Sequence, residues 1–145
     1  MNSSRPLAVV TGASSGIGLE LAREFAAQGH DLVLTAEDDG IHEAALQLRF
    51  HRTRIRAVRA DLATYDGAES LIHEVRAEHR PVSAVVLNAG IGQGGAFLET
   101  DLADLARVID LNISSTVHLA RRLLPDMATQ GGALASVSAR ERGQR

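Results

Sequence analysis

Thr11-Gly12-Ala13-Ser14-Ser15-Gly16-Ile17-Gly18 decides how this chain folds. The apolar stretch Leu7-Ala8-Val9-Val10 precedes it, and an amphipathic segment, Leu19 to Gln28, follows it. The order reads as strand, glycine-rich turn, helix. Such a turn aims backbone N–H groups and the positive end of the helix dipole at one point, where an anion such as a pyrophosphate can sit. The glycines have separate tasks. Gly12 permits the tight turn, Gly16 removes a Cβ where phosphates approach, and Gly18 lets the helix lie close to the strand. The spacing is Gly-x-x-x-Gly-x-Gly rather than Gly-x-Gly-x-x-Gly, and a glycine-rich loop alone also fits a plain turn.

Short apolar runs alternate with helical patterns on both sides of this loop. Strands are expected at Leu7 to Thr11, Asp31 to Thr35, Arg54 to Ala60, Val82 to Leu87 and Ala133 to Ser138. Helices are expected at Gly16 to Gln28, Ile41 to His51 and Asp66 to His79, and over Asp101 to Ala128 with a bend near Asn112. The inward faces read as Ile17, Leu21 and Phe25 in the first helix, Ala44, Ala45 and Leu48 in the second, and Leu71, Ile72 and Val75 in the third. Continuous apolar strands alternating with helices imply a parallel sheet covered on both faces. Right-handed crossovers favour an α/β, Rossmann-type doubly wound sheet of about five strands in the order 3-2-1-4-5. The third strand is the least apolar and belongs near an edge. The ligand crevice of such a sheet lies at the carboxyl ends of strands one and four, where the order reverses.

Bulk properties narrow the function classes. A chain of 145 residues with 45% hydrophobic content is one globular domain. It has no cysteine, which excludes disulfides and thiolate metal sites, and no metal site is expected. Net charge is −3 and no basic stripe interleaves with aromatics, so nucleic acid is not an expected partner. Met1 to Pro6 is too short and polar for a signal peptide, and no apolar run approaches a membrane span. A soluble, cytoplasmic protein without membrane contact is expected. All 15 of its Lys+Arg are arginine, so no mechanism needing a lysine amine runs on this chain alone.

Four further groups fall at strand ends facing the crevice. Glu37-Asp38-Asp39 follows strand two, and Glu37 stands 19 residues beyond Gly18, where an acidic residue meets the adenine ribose hydroxyls and repels the extra phosphate of NADP. A solvated acidic turn is the competing reading. Asp61-Leu62 ends strand three; its carboxylate either accepts from an adenine amino group or caps the next helix, with Thr64 and Asp66 as rivals for the cap. Asn88-Ala89-Gly90 ends strand four. Its small residues let backbone approach a cofactor and the Asn amide ties neighbouring loops, although an ordinary strand-to-loop turn has the same composition. Asn112 sits in the largely apolar Val108 to Ser114, either as an amide that must find partners or as a surface or kink position.

In this order, over about Leu7 to Ser138, these residues resemble the short-chain dehydrogenase/reductase family. Thr11-Gly12-x-x-x-Gly16-x-Gly18 resembles its cofactor motif, with Ser14, Ser15 and Ile17 inside it. Asp61-Leu62 resembles its adenine-contacting pair, and Asn88-Ala89-Gly90 its Asn-Ala-Gly motif. Asn112 corresponds to the Asn of its catalytic tetrad, which helps hold a proton-relay water. The resemblance implies hydride transfer between NAD(P) and a carbonyl or alcohol carbon. It also implies a Tyr that moves the proton, a Lys that lowers that Tyr's pKa, and a Ser that polarises the substrate oxygen. NAD is expected over NADP, because Ser15 and Glu37 stand where NADP-preferring relatives carry basic residues.

The chain departs from that pattern at its end. The family's Tyr-x-x-x-Lys follows the fifth strand, and here Ala139 to Arg145 follows it instead. The one tyrosine, Tyr65, lies beside Asp61 at the adenine end. Ser138 aligns with the first of the family's Ser pair and Ala139 with the second, which is the one used; a one-residue shift would give Ser138 the catalytic place. The expectation is a C-terminally truncated or frameshifted member, with an NAD(P)-binding domain over residues 1–139 and a polar tail over 140–145. Such a chain binds a dinucleotide and does not turn over carbonyl substrates alone. A non-catalytic dinucleotide-binding module and a non-functional fragment are the alternatives. The bare edge of strand five offers a surface for self-association. Phe97 and Leu98 read as apolar packing or, with Gly92 to Gly95, as substrate-pocket residues.

Overall fold

β1 (Leu7–Thr11) is buried along its whole length, because strands pair with both its edges and helices cover both faces of the sheet. The computed structural model describes residues 5–136. Five parallel strands lie in the order β3-β2-β1-β4-β5, with β2 at Asp31–Ala36, β3 at Ile55–Arg59, β4 at Val82–Leu87 and β5 at Ala133–Ser136. This is the doubly wound order expected, with β3 on an edge. Ser138 and the other residues of 137–139, like the tail 140–145, lie outside the described residues.

Alternation along β1 splits the core in two. Leu7 and Val9 face a cluster with Leu71, Ile72 and Val75 of α3 (Tyr65–Arg76) and Leu119, Leu123 and Met127 of α5 (Ser115–Ala128). Ala8 and Val10 face the other cluster, with Ala22 and Ala26 of α1 (Gly16–Ala27) and Ile41 and Leu48 of α2 (Gly40–Leu48). α3 keeps the inward face its sequence implies, and Thr64 caps it: Thr64 Oγ1 accepts from the Gly67 N–H at 3.0 Å. In α2, Ile41 takes the buried place expected of Ala45.

α1 packs on a different face from the one expected. Its buried residues are Gly18, Ala22 and Ala26, while Ile17 is exposed and Leu21 and Phe25 are half-buried. The cause is distance. A Cβ at Gly18 would stand 2.1 Å from the Gly12 carbonyl oxygen, so the helix lies too near the sheet for anything but small residues.

The long helical region is two helices. α4 (Leu102–Ile109) and α5 are joined by one wide π-turn, Asp110–Ser114, in which the Ser115 N–H donates to the Asp110 carbonyl. The π-turn falls near Asn112, at the position where the sequence suggests a bend. Phe97 and Leu98 are exposed rather than packed, because no described element lies over their short 3₁₀ turn, Phe97–Glu99. No helix among the described residues is long and apolar enough to cross a membrane.

Candidate cofactor site

The carboxyl ends of β1, β2, β3 and β4 open onto one cleft of about 370 Å³, within the range of small-molecule sites. Its floor begins at Thr11. The buried Thr11 Oγ1 accepts from the backbone N–H groups of Asn88 and Ala89, each at 2.9 Å, and so joins β1 to β4 where the sheet order reverses. Asn88 Nδ2 returns the tie, donating to the carbonyls of Thr11 and Gly12 at 3.3 and 3.2 Å. The structure thus gives the Asn amide the loop-tying task read from the sequence. Asn88 Oδ1 is buried and has no partner among the described residues.

Gly12 has φ +64°, and a Cβ there would meet the Ala89 backbone at 2.9 Å, so the left-handed turn and the close crossing both require glycine. Gly16 has φ +56°, lines the cleft, and would send a Cβ into open space. Ser15 is the N-cap residue of α1, yet its side chain makes no capping bond and the first turn holds no acid. The first N–H groups of the helix therefore face the cleft without a partner among the described residues. That constellation fits an anion such as a pyrophosphate.

The acidic turn forms the other end of the cleft, and none of its carboxylates is left to solvent alone. Asp38 Oδ1 accepts from the Gly40 N–H at 2.8 Å, and Oδ2 accepts from the Ser14 hydroxyl at 3.1 Å. Asp39 pairs with Arg59 at 3.0 Å, and Arg59 Nε also donates to the Glu37 carbonyl. Glu37 pairs with Arg107 of α4. Arg107 also grips Asp61 with two prongs, NH1 to Oδ2 at 3.0 Å and NH2 to Oδ1 at 3.2 Å. The Arg107 guanidinium holds the Asp61 carboxyl below its ordinary range, against the opposing effect of partial burial. Asp61 Oδ1 also accepts from the Ala63 N–H, and since Thr64 caps α3, Asp61 is not the helix cap.

All the expected cofactor residues line the cleft except Thr11 and Gly18, which lie beneath it as supports. Asn112 is exposed, on the π-turn, and both ends of its amide engage one residue: Oδ1 accepts from the Ile91 N–H at 2.9 Å and Nδ2 donates to the Ile91 carbonyl at 2.8 Å. It thereby fixes the Gly90 to Gly92 wall. Tyr65 stacks on His118, with ring centroids 4.9 Å apart, and is not among the lining residues. Leu111, Ile91, Ala36 and Ala60 complete the apolar lining. The functional residues that the sequence reading missed are Arg59 and Arg107. The available signal was a run of carboxylates after β2 and β3 in want of cations.

Comparison with known proteins agrees with this geometry. Residues 6–142 match the model of the family described as short chain dehydrogenase. An uncharacterized oxidoreductase of Bacillus subtilis, YmfI, is 33% identical over 135 residues, covering 90% of this chain and 54% of YmfI. The L-sorbose reductase of Gluconobacter frateurii, solved with NADPH and L-sorbose, superposes with a TM-score of 0.85 at 36% identity. The match covers 92% of this chain and 52% of the reductase. A short chain dehydrogenase/reductase from Burkholderia phymatum, solved with NAD, superposes with a TM-score of 0.86 at 27% identity, covering 96% of this chain and 50% of that one. The chain thus spans about half the length of these relatives. From its loop geometry, strand order and these matches, the chain belongs to the short chain dehydrogenase family.

Proposed function

We propose that this chain forms the NAD(P)-binding half of an oxidoreductase that moves hydride between the cofactor and a carbonyl or alcohol carbon. The observation that carries the reading is the uncapped start of α1, set between Gly12 and Gly16 on one side of a cleft and ending at Glu37 and Asp61 on the other. The pyrophosphate belongs at the α1 N–H groups. The adenosine belongs between Glu37 and Asp61-Leu62, and the nicotinamide side toward Asn88-Ala89-Gly90. The bound nicotinamide supplies or takes the hydride; the residues of this chain bind and orient it. Asn112 acts as a positioning residue through Ile91. The proton donor and the substrate wall are not among the described residues. Tyr65 lies against His118, away from the cleft, and the sequence contains no lysine.

The expectation of NAD over NADP rests on Ser15 and on Glu37 as an anion that repels a 2′-phosphate. Glu37 is ion-paired with Arg107, and Arg59 stands at the same turn, so the reading supported here is NAD(P) without that preference. Thermal unfolding of the 145-residue chain with and without NADH and NADPH tests it. A ligand at about 100 times its dissociation constant adds about 2.7 kcal/mol of stability. For a domain of this size that raises Tm by about 5–10 °C. A cooperative melt that neither cofactor moves would refute the proposal.

A further inference from the structure

Glu37 after β2 and Asp61 after β3 converge on one guanidinium, that of Arg107. Its two holds differ in kind. Asp61 takes NH1 and NH2 together, which fixes the plane of the guanidinium. Glu37 takes only NH2, and its side chain is 52% exposed against 37% for Arg107. A single-pronged pair open to water is the exchangeable one. A guanidinium carries five N–H groups. Three are engaged with these carboxylates, which leaves Nε–H and one NH1 hydrogen without a partner among the described residues.

On the dinucleotide reading of this cleft, the ribose 2′ position lies at Glu37. We infer that Arg107 is the specificity-determining residue that admits a 2′-phosphate there. With a 2′-hydroxyl, Glu37 accepts a hydrogen bond from it and keeps Arg107. With a 2′-phosphate, the phosphate takes the Arg107 donor that Glu37 held, and Asp61 keeps the guanidinium in place. Arginine suits the exchange because its planar fork pairs with phosphate and carboxylate alike. The inference rests on the proposed NAD(P) site.

Isothermal titration of the full chain with NADH and with NADPH tests it. The unaltered chain binds NADPH within tenfold of NADH. Arg107→Met shifts the affinity ratio at least tenfold against NADPH, whereas Glu37→Gln shifts it at least threefold toward NADPH. Arg121→Met, which removes the same charge from an exposed position on α5, leaves the ratio unchanged. Arg107→Met in the Glu37→Gln background, where no anion at residue 37 is left to repel the phosphate, still shifts the ratio at least tenfold against NADPH; an unchanged ratio there overturns the inference. Melting curves establish that each variant is folded, and should Arg107→Met not fold, Arg107→Gln in the same Glu37→Gln background decides. A chain that binds NADH but takes NADPH more than tenfold more weakly refutes the role of Arg107 and spares the cofactor site. Binding of neither cofactor refutes both.

Discussion

Replacing Gly18 with alanine sets two opposed effects against each other. In the first turn of a helix, alanine is favoured over glycine by up to about 1 kcal/mol. Here the new Cβ would stand 2.1 Å from the Gly12 carbonyl oxygen, 2.5 Å from Asn88 Nδ2 and 2.8 Å from the Gly12 carbonyl carbon. The first of these is about 1.3 Å short of ordinary contact, and the carbonyl belongs to backbone that cannot rotate away. α1 must retreat, lifting the buried Ala22 and Ala26 from the sheet. Overpacking costs about 1–3 kcal/mol, and a clash with backbone falls at the top of that range. The net expectation is a loss of about 2 kcal/mol, which lowers Tm by about 4–8 °C. Calorimetric melts of Gly18→Ala beside Gly94→Ala measure it, since a Cβ at Gly94 meets nothing within 4 Å and should change stability by less than about 0.5 kcal/mol. A Gly18→Ala chain as stable as the parent, or an equal loss at Gly94, would refute the close-approach account of α1.

Thr11→Val keeps the shape of the side chain but strips the acceptor from the Asn88 and Ala89 N–H groups, so a loss of about 3 kcal/mol is expected in urea unfolding. Asn112→Ala frees both backbone groups of Ile91; hydrogen exchange at the Ile91 amide should accelerate while the Leu71 amide in α3 keeps its protection. Glu69 is drawn down to about 2 by Arg122 and then His118, so its folded pKa lies below its unfolded one. The stability it supplies is full above about pH 4.5 and is lost as pH falls toward 2. The urea midpoint should fall across that window, and Glu69→Gln should flatten the fall; an unchanged slope would contradict the assignment.

The strands and their order were legible because burial on both faces leaves continuous apolar runs, and right-handed crossovers admit few orders. The inward face of α1 was not legible. A hydrophobic stripe ranks Ile17, Leu21 and Phe25 above Gly18, Ala22 and Ala26, and only the distance between helix and sheet reverses that ranking. The wall of the cleft was readable from Gly12, Gly16, Asn88 and Asp61, because backbone approach and strand-end carboxylates depend on local position. Arg107 was not, since its partners lie 46 and 70 residues away and no local pattern pairs them. An irregularity near Asn112 was readable as a position, but its form, a π-turn that presents the amide to Ile91, was not.

The pairing of β1 with β4 has a consequence for how the chain reaches this state. Leu7 is in register with Val82, and Thr11 takes its two N–H donors from residues 77 and 78 positions later. Closing a loop of that length has an entropic cost that must be met before any of its contacts form, which makes such pairings late and slow. On a ribosome, the glycine loop, α1 and β2 emerge long before the residues that lock the loop open. A ligand cannot template its own cradle until Ala89 has been synthesised and released. A dinucleotide bound as proposed would stabilise the paired sheet, because its cradle is lined by residues that follow both β1 and β4.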